Sequence, residues 1–524
     1  MQGNAQYSDR MRRIPARRWS LAIIPLISAL LVPTSAVAAP APAHDPAQPG
    51  GFAGLSVSSL DWTPCGSNGF ECATLTVPLD YRDPAAGTIG IAVNRHKAAD
   101  SARRIGAMVV NPGGPGGSGK GLAQRMLSMA PKEIVDRFDI VGFDPRGVGE
   151  SSPVSCLTAD ETTDAFAKVT AGVDDTDRPF AHSVKLAAQF NAKCQERSGK
   201  LLPYIGTEYV ARDIDMIRAA LGEEKLTYFG FSFGTFIGTV YANLFPQRVR
   251  AALLDGAYDP EHYANEPYKY DQPQFDVVDR AINLFLDWCA DPASKCAFGN
   301  GKPHDAFDQL LTDLDANPIV KDGKVVANGT TVAYSLIFAV NGGRRAWPAF
   351  AARLVQAQQR TGPYVAPIGG NASFFAPNTA VECADRVYPQ DMNGLRNQLA
   401  KEVHRAPILG APAAYGSPGY DHSHATACTL WKAERKSRYA GPWDAKGSAP
   451  ILVVGTTGDP DTPYQDAVAL RRTLANSRLL TFVGEGHTGY SASPCTKAAA
   501  SEYLLNLTLP ADGTRCNDDP GPAS

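Results

Sequence analysis

The segment Gly230-Phe231-Ser232-Phe233-Gly234 places a serine between two glycines in the pattern G-x-S-x-G. It follows a short apolar run, 226–229, and precedes residues 235–244, whose small and apolar side chains are typical of a helix packed on a sheet. At such a strand-to-helix turn the serine has a strained backbone and an exposed hydroxyl. The pattern predicts that Ser232 is a nucleophile. The alternative is a tightly packed helix start without chemistry.

A serine hydroxyl is a weak nucleophile at neutral pH, so it needs a histidine that accepts its proton and a carboxylate that orients the histidine. In proteins with this elbow the acid and then the histidine follow the serine along the chain. Asp459 follows the apolar run 451–454, and His487 follows the run 479–483. We therefore expect Ser232 to attack, His487 to carry the proton and Asp459 to orient His487.

Acyl transfer also requires donors for the oxyanion that develops on the attacked carbonyl. A glycine-rich run, 113–119, directly follows the strand-like residues 107–110. We expect the backbone N–H groups of Gly114 and Phe233 to form the oxyanion hole. A phosphate-binding loop is the rival interpretation, but the run lacks the spacing G-x-x-x-x-G-K-[ST].

The composition describes an ordinary globular protein with no charge bias. The chain has 524 residues, of which 44% are hydrophobic and 20% are charged, and its formal net charge is −3. This length favours a core domain with an inserted or second domain. A nearly neutral chain offers no electrostatic basis for binding nucleic acid or an anionic membrane, so we expect neither partner.

The first 38 residues have the order of an export signal. Four arginines (Arg12, Arg13, Arg17 and Arg18) precede an apolar stretch, 21–32, and the small residues 36–38 follow it. This order predicts a signal peptide cleaved after Ala38, with a disordered tail at 39–54. The apolar stretch is short for a membrane span of about 20 residues. We expect a secreted or cell-envelope protein without a membrane span after cleavage.

Ten cysteines fit the same compartment, because an even number in an exported chain is most simply explained by disulfides. Pairing in chain order is the simplest arrangement, but the sequence leaves the connectivity open. A zinc site is the rival interpretation, and the absence of any C-x-x-C pair argues against it. We expect no metal and no cofactor. The pairs in chain order are Cys65–Cys72, Cys156–Cys194, Cys289–Cys296, Cys383–Cys428 and Cys495–Cys516.

Strand-like and helix-like patterns alternate over most of the chain, which predicts a largely parallel sheet. Between 257 and 448 clear strands are scarce, and amphipathic stretches such as 277–288 and 303–315 predict helices. We therefore expect a core at 55–256 and 449–524, with a helical cap at 257–448 above the strand ends that carry the elbow. The strand-like runs are 73–77, 89–94, 107–111, 139–143, 226–229, 251–254, 451–454 and 479–483.

Taken together, these motifs resemble the secreted tripeptidyl aminopeptidase-like branch of the prolyl iminopeptidase family of α/β-hydrolases. The resemblance runs from roughly residue 60 to the C-terminus. It implies an α/β-hydrolase fold: a mostly parallel eight-stranded sheet flanked by helices, with a large cap inserted after the sixth strand. The matching segments are Gly113-Gly114-Pro115-Gly116, 144–151, Arg212-Asp213-Ile214-Asp215, 230–235, Gly458-Asp459-Pro460 and Gly486-His487.

The resemblance implies a serine exopeptidase that cleaves peptides from a free N-terminus through an acyl-enzyme. Such a site must pair the substrate's α-ammonium group with an anion, and we expect Glu382 and Asp385 to do so; a disulfide-pinned loop with solvated acids is the alternative. Asp461 stands where relatives usually carry an apolar residue, which makes it a second candidate for the orienting acid. Asp144 and Arg146 are expected to serve a buried salt bridge that shapes their loop.

Two other functions remain open at this stage. A carboxylesterase would use the same triad, because an acyl-enzyme mechanism does not distinguish an ester from an amide. A non-catalytic relative used for binding is the second, and the intact set of Ser232, Asp459 and His487 argues against it.

Overall fold

The computed structural model describes residues 58–66, 68–167, 177–361, 372–416 and 424–519. The predicted signal peptide and the tail after it lie outside the described residues. The described residues belong to one compact unit.

Eight strands of six or more residues form the body of the sheet, and each contains one of the eight strand-like runs. A two-residue strand extends this sheet at each edge, and two further short strands form a hairpin separate from it. The short strands lack any apolar run of their own, so the sequence pattern did not predict them. The strands are β1 Thr63–Pro64, β2 Glu71–Pro78, β3 Thr88–His96, β4 Gly106–Asn111, β5 Phe138–Phe143, β6 Leu226–Phe231, β7 Val249–Asp255, β8 Ile319–Lys321, β9 Lys324–Ala327, β10 Ile451–Gly458, β11 Ser477–Glu485 and β12 Arg515–Cys516.

The main sheet has the order β1-β2-β3-β5-β4-β6-β7-β10-β11-β12. Strands β1, β2 and β3 join antiparallel to their neighbours, and all pairings from β5 to β12 are parallel. The central strands β4, β5 and β6 are buried along their whole length, as expected for a parallel sheet covered on both faces. The carboxyl ends of β6, β7, β10 and β11 therefore lie side by side along one edge.

Helices cover the sheet and fill the long stretch between β7 and β10. The predicted helices at 235–244, 277–288 and 303–315 correspond to α6, α8 and α9. The helices are α1 Gly119–Met129, α2 Lys132–Arg137, α3 Ala159–Ala167, α4 Asp177–Ser198, α5 Thr207–Ala220, α6 Phe233–Leu244, α7 Pro260–Asn265, α8 Pro267–Ala290, α9 Pro303–Ala316, α10 Gly329–Asn341, α11 Trp347–Gln359, α12 Ala372–Asp385, α13 Met392–Arg405, α14 Gly410–Tyr415, α15 His424–Thr429, α16 Tyr464–Thr473 and α17 Pro494–Asn506.

We call the stretch 257–448, which contains α7 to α15 and the β8–β9 hairpin, the cap. The cap has a hydrophobic cluster of its own, which includes Phe285 and Leu336. A different cluster, which includes Phe229 and Leu452, packs between the sheet and the helices α1 and α17. A separate apolar interior is what an inserted domain requires. It supports the predicted cap, whose boundaries stay a prediction.

Five disulfides join all ten cysteines in chain order, so the structure resolves the connectivity that the sequence left open. Cys383–Cys428 joins α12 to α15 inside the cap, and Cys495–Cys516 joins α17 to β12. Among the helices of the described residues, none is both long enough and apolar enough to cross a membrane.

Arg146 forms a fully buried ion pair with Asp213. Its guanidinium donates to both carboxylate oxygens of Asp213 on α5, at 2.7 and 2.6 Å, and both side chains are fully buried. The remaining N–H groups of Arg146 donate to the carbonyl oxygens of Pro78, Leu79 and Tyr204. The predicted salt bridge at Arg146 therefore exists, and its partner lies on a helix rather than on the same loop.

Asp144 has a different role from Arg146. Its carboxylate accepts from the hydroxyl of Ser118 at 2.5 Å and from the backbone N–H of Glu150 at 3.0 Å. It thus ties the loop after β5 to the start of α1, and it does not pair with Arg146.

Replacing Asp213 with alanine should lower the free energy of unfolding by about 3–5 kcal/mol, because it leaves the buried Arg146 guanidinium without its counter-charge. Urea unfolding followed by circular dichroism measures this change. Glu196→Ala is the matched control: it removes the exposed pair with Lys193, and its expected cost is below about 1 kcal/mol. Equal losses in the two variants would contradict the prediction.

Candidate active site

Ser232 occupies the single residue between β6 and α6. Its backbone has φ 54° and ψ −129°, a positive φ that a residue with a side chain adopts only under constraint. A Cβ on Gly230 would lie 2.4 Å from the Gly234 carbonyl oxygen, and one on Gly234 would lie 2.8 Å from that of Asn111. Both glycines of the motif are thus required by close packing, and the turn has the geometry of a nucleophile elbow.

The glycine-rich run after β4 crosses directly over this turn. A Cβ on Gly113 would lie 2.5 Å from the Phe231 carbonyl oxygen and 2.7 Å from the Phe233 amide nitrogen. The side chain of Asn111 accepts from the Gly113 N–H at 2.8 Å, and the Gly117 N–H donates to the Gly113 carbonyl at 3.0 Å. We call residues 112–117 the glycine loop. At Gly113 its backbone lies beside the Phe233 amide, and Gly114 is the next residue.

Asp459 and His487 meet because β10 and β11 are neighbouring parallel strands. Asp459 is buried directly after β10, and His487 lies two residues after β11. His487 Nδ1 is 3.0 Å from each carboxylate oxygen of Asp459. The same carboxylate accepts from the backbone N–H groups of Asp461, Thr462 and Thr488 and from the hydroxyl of Thr462. Asp459 is therefore held in one orientation, and in neutral His487 it places the proton on Nδ1 and leaves Nε2 as the acceptor.

Asp255, at the end of β7, links the serine turn to the histidine loop. Its backbone oxygen accepts from the Ser232 N–H at 2.8 Å, while its carboxylate accepts from the N–H groups of Gly489 and Tyr490. Burial raises the pKa of Asp255 to about 6 against the opposing effect of those N–H groups. The sequence reasoning missed this residue, although an acid right after the strand-like run 251–254 is the same signal that identified Asp459.

The imidazole of His487 lies close to the residue that follows β7. A Cβ on Gly256, the residue after Asp255, would lie 3.1 Å from His487 Cε1. His487 Nε2 nevertheless forms no hydrogen bond with any described residue, so the bond to Ser232 is not closed. Catalytic hydrogen bonds of this kind commonly tighten only when substrate binds.

Asp461 lies on the Nε2 side of His487, opposite Asp459. Its Oδ2 is 3.6 Å from Nε2 and accepts from the Asn341 side chain at 3.3 Å. Burial lowers the pKa of His487, but the negative charges of Asp459 and then Asp461 outweigh it and raise that pKa to about 10. Asp461 therefore stabilises the protonated form of His487.

The rate constant kcat/KM should consequently rise with pH well above neutrality, because only neutral His487 accepts the proton of Ser232. In Asp461→Asn this rise of kcat/KM should occur about 1–3 pH units lower, since the substitution removes one of the two nearby negative charges. An uncharged acyl ester is the appropriate substrate, because the α-amine of a peptide titrates near pH 8 itself. Coinciding pH profiles for the wild type and Asp461→Asn would contradict this interpretation.

Three cap helices contact the catalytic loops. Asn341, at the end of α10, accepts from the His487 N–H through its backbone oxygen at 2.9 Å. Gln274 on α8 donates to the Asp461 carbonyl at 2.8 Å, and Asn378 on α12 donates to the Pro115 carbonyl at 3.1 Å. The cap thus touches the loops of the base and of the predicted oxyanion hole.

Glu382 and Asp385 lie on α12 but have separate surroundings. Both oxygens of Asp385 accept from Thr207, one from its N–H at 2.8 Å and one from its hydroxyl at 2.6 Å. Burial raises the pKa of Asp385 to about 7 against these bonds. Asp385 therefore links the cap to α5. Glu382 instead accepts from Arg386 at 3.0 Å, and Arg386 also pairs with Asp271.

The cluster of Glu382, Asp271 and Arg386 carries two acids and one base, and it lies close to the elbow. The Arg386 guanidinium stacks over Tyr263 at 5.0 Å, and the Tyr263 ring is 5.8 Å from that of Phe233. Arg386 and Tyr263 thus connect this cluster to Phe233, the residue after Ser232.

Within the described residues, the one group of side chains with metal-ligand spacing is Cys495, Cys516 and Asp518. The two sulfurs are joined in a disulfide, so neither is a thiolate ligand.

Comparison with known proteins identifies the family to which the chain belongs. A family model described as alpha/beta hydrolase fold matches residues 106–336, and one described as TAP-like protein matches residues 414–516. The serine protease Hip1 of Mycobacterium tuberculosis is 33% identical over 488 residues, which cover 87% of this chain and 91% of that protein. This chain belongs to the TAP-like family of α/β-hydrolases.

Two more relatives of this TAP-like hydrolase bear on its activity. The tripeptidyl aminopeptidase of Streptomyces lividans is 30% identical over 482 residues, covering 88% of this chain and 87% of the relative. Carboxylesterase B of Mycobacterium tuberculosis is 31% identical over 466 residues, covering 85% and 86%. The predicted family, the predicted fold class and the prediction of a hydrolytic enzyme are confirmed.

Proposed function

We propose that the protein is a secreted serine exopeptidase that releases short peptides or single residues from a free N-terminus. Ser232 attacks the scissile carbonyl, His487 takes the serine proton and passes it to the leaving amine, and Asp459 orients His487. The observation that carries the proposal is the pair of 3.0 Å contacts between His487 Nδ1 and the Asp459 carboxylate, together with the constrained backbone of Ser232, whose φ is 54°.

The N–H groups of Gly114 and Phe233 are proposed to bind the oxyanion. Support comes from the glycine loop, which packs against the Phe233 amide where a tetrahedral intermediate on Ser232 would direct its oxygen. Water then hydrolyses the acyl-enzyme with His487 as the base.

Glu382 is proposed as the anion for the substrate's α-ammonium group. Its carboxylate lies in a buried cluster with Asp271 and Arg386, with His424 Nδ1 at 3.8 Å, and a buried ammonium requires an anionic partner of this kind. Asp385 is the weaker candidate, because Thr207 already occupies both of its oxygens.

The decisive experiment compares free and N-acetylated aminoacyl, dipeptidyl and tripeptidyl p-nitroanilides. The proposal expects free substrates to be cleaved and N-acetylation to lower kcat/KM by at least about 100-fold, because a site built for a charged group rejects its blocked analogue. The length that is cleaved fastest identifies the released product. Equal cleavage of free and blocked peptides would refute the exopeptidase proposal.

Two variants locate the ammonium site. Glu382→Gln should raise KM for free peptides without changing the hydrolysis of an ester that has no amine. Glu402→Gln is the matched control, because Glu402 is another buried cap acid whose side chain contacts Gln398 on its own helix. A rise in KM for Glu402→Gln but not for Glu382→Gln would move the site elsewhere in the cap.

A carboxylesterase is the second candidate, and the carboxylesterase B relative favours it. This activity would hydrolyse short acyl esters and would be indifferent to a substrate amine. The same substrate panel with p-nitrophenyl esters added separates the two activities.

Secretion belongs to the same proposal. The basic and apolar leader up to Ala38 and the five disulfides both support an extracytoplasmic location.

A further inference from the structure

A side chain of the cap binds the middle of the glycine loop. Asn378 on α12 is completely buried, and its Nδ2 donates to the carbonyl oxygen of Pro115 at 3.1 Å. Pro115 directly follows Gly114, the proposed oxyanion donor. Four of the six residues of this loop are glycines, which have little conformational preference of their own. A bond from outside the loop therefore matters for its shape.

The loop is enclosed from two sides. Gly113 packs against the elbow. A Cβ on Gly116 would lie 2.9 Å from the Phe374 carbonyl oxygen and 3.2 Å from the backbone nitrogen of Asn378. Helix α12 therefore packs directly against the loop at Gly116.

His424 contacts the other end of the Asn378 amide. Because the Asn378 NH₂ group points at the Pro115 carbonyl, its Oδ1 is the acceptor that faces His424 Nε2 at 2.8 Å. His424 is also buried, and its Nδ1 lies 3.8 Å from Glu382 Oε2. The chain of contacts therefore runs from Pro115 through Asn378 and His424 to Glu382.

The two helices that carry this pair are joined covalently. Cys383 on α12 forms a disulfide with Cys428 on α15, the helix that begins at His424. This cross-link restrains the Asn378–His424 pair as a unit.

We propose that Asn378 and His424 are positioning residues that hold the Gly114 N–H against the oxyanion. The inference rests on the proposed serine acyl transfer. In that step Ser232 Oγ bonds to the carbonyl carbon, the π electrons move to the carbonyl oxygen, and the serine proton moves to His487 Nε2. Asn378 touches none of these atoms. It acts through the Pro115 carbonyl, so the cap contributes to transition-state binding as well as to substrate selection.

Asn378→Asp tests the proposal, because it keeps the shape and the acceptor for His424 but removes the donor to Pro115. We expect kcat to fall about 100-fold with KM within about threefold, since a displaced donor acts only in the transition state. A peptidyl boronic acid, which forms a tetrahedral adduct with the serine, should lose affinity by a similar factor. The product peptide, which forms no oxyanion, should bind as before.

Two variants of His424 test whether an N–H donor to Asn378 is required. His424→Leu cannot donate to Asn378 and should therefore lower kcat as much as Asn378→Asp does. His424→Gln keeps an N–H donor, so its decrease in log kcat should be at most about half as large. Thr379→Val is the matched control: Thr379 is the next residue on α12, it is buried, and its hydroxyl has no partner among the described residues. It should change neither kcat nor boronate affinity.

Equal losses of boronate and product affinity in Asn378→Asp, or an unchanged kcat, overturn the positioning role. If Asn378→Asp does not fold, the comparison of His424→Leu with His424→Gln decides by the same criteria. An acyl ester is assayed in parallel, because its hydrolysis needs the same oxyanion. A wild type that cleaves the ester but no peptide refutes the exopeptidase proposal and leaves this test intact; one that cleaves neither overturns both.

Discussion

Ser232→Ala is expected to lower kcat about a million-fold for every peptide or ester that the wild type hydrolyses, because it removes the atom that forms the acyl-enzyme. The residual rate would come from the oxyanion hole and from substrate binding alone. Initial rates with purified protein measure the loss, and mass spectrometry after reaction with a fluorophosphonate detects whether the nucleophile is still present.

A matched control excludes loss of structure as the cause. Ser335→Ala removes another serine hydroxyl, which among the described residues donates to the Val332 carbonyl of its own helix, and it should keep full activity. Both variants should unfold at nearly the wild-type temperature. Hydrolysis by Ser232→Ala at the wild-type rate would show that the catalytic assignment is wrong.

Asp459→Asn is expected to lower kcat about ten-thousand-fold, the size of effect known for the orienting acid of serine proteases. An amide at 459 can donate to His487 Nδ1, which favours the tautomer with the proton on Nε2. That tautomer cannot accept the serine proton. Rates are to be measured across the whole pH range, because the substitution also lowers the pKa of His487.

Asp461→Asn is the control for this variant, because both substitutions remove one negative charge beside the same imidazole. Asp461 lies 3.6 Å from Nε2 and does not contact Nδ1, so its amide variant should keep kcat within about tenfold at the pH where His487 is neutral. A larger loss in Asp461→Asn than in Asp459→Asn would mean that the two acids have exchanged roles.

Local sequence patterns were sufficient to predict the long strands of the sheet. Each of the eight strand-like runs became a strand: apolar runs such as 226–229 lie in central strands buried on both faces, while the alternating run 73–77 lies in β2, which exposes Thr74 and Thr76. The two-residue strands β1 and β12 and the hairpin of β8 and β9 were missed, since so short a strand is formed by its neighbours and leaves no pattern in its own residues.

Pairings across the chain were predicted less well. The sequence suggested a buried salt bridge at Arg146 but not its partner, Asp213, which lies on a helix that only the fold brings near. Glu382 and Asp385 are close in sequence and were assigned one role. The packing of α12 against α5 turns Asp385 toward Thr207 and gives the two acids different surroundings.

The sequence by itself determined the nucleophile, the base and the acid as candidates, because each follows a strand in a parallel sheet and all such strand ends meet at one edge. Only the tertiary structure decided what surrounds them: Asp255 between the serine and histidine loops, Asp461 on the free face of His487, and Asn378 under the glycine loop. The physical reason is that strand periodicity is a local property of the chain. The packing of the cap on the core depends on contacts between residues far apart in sequence.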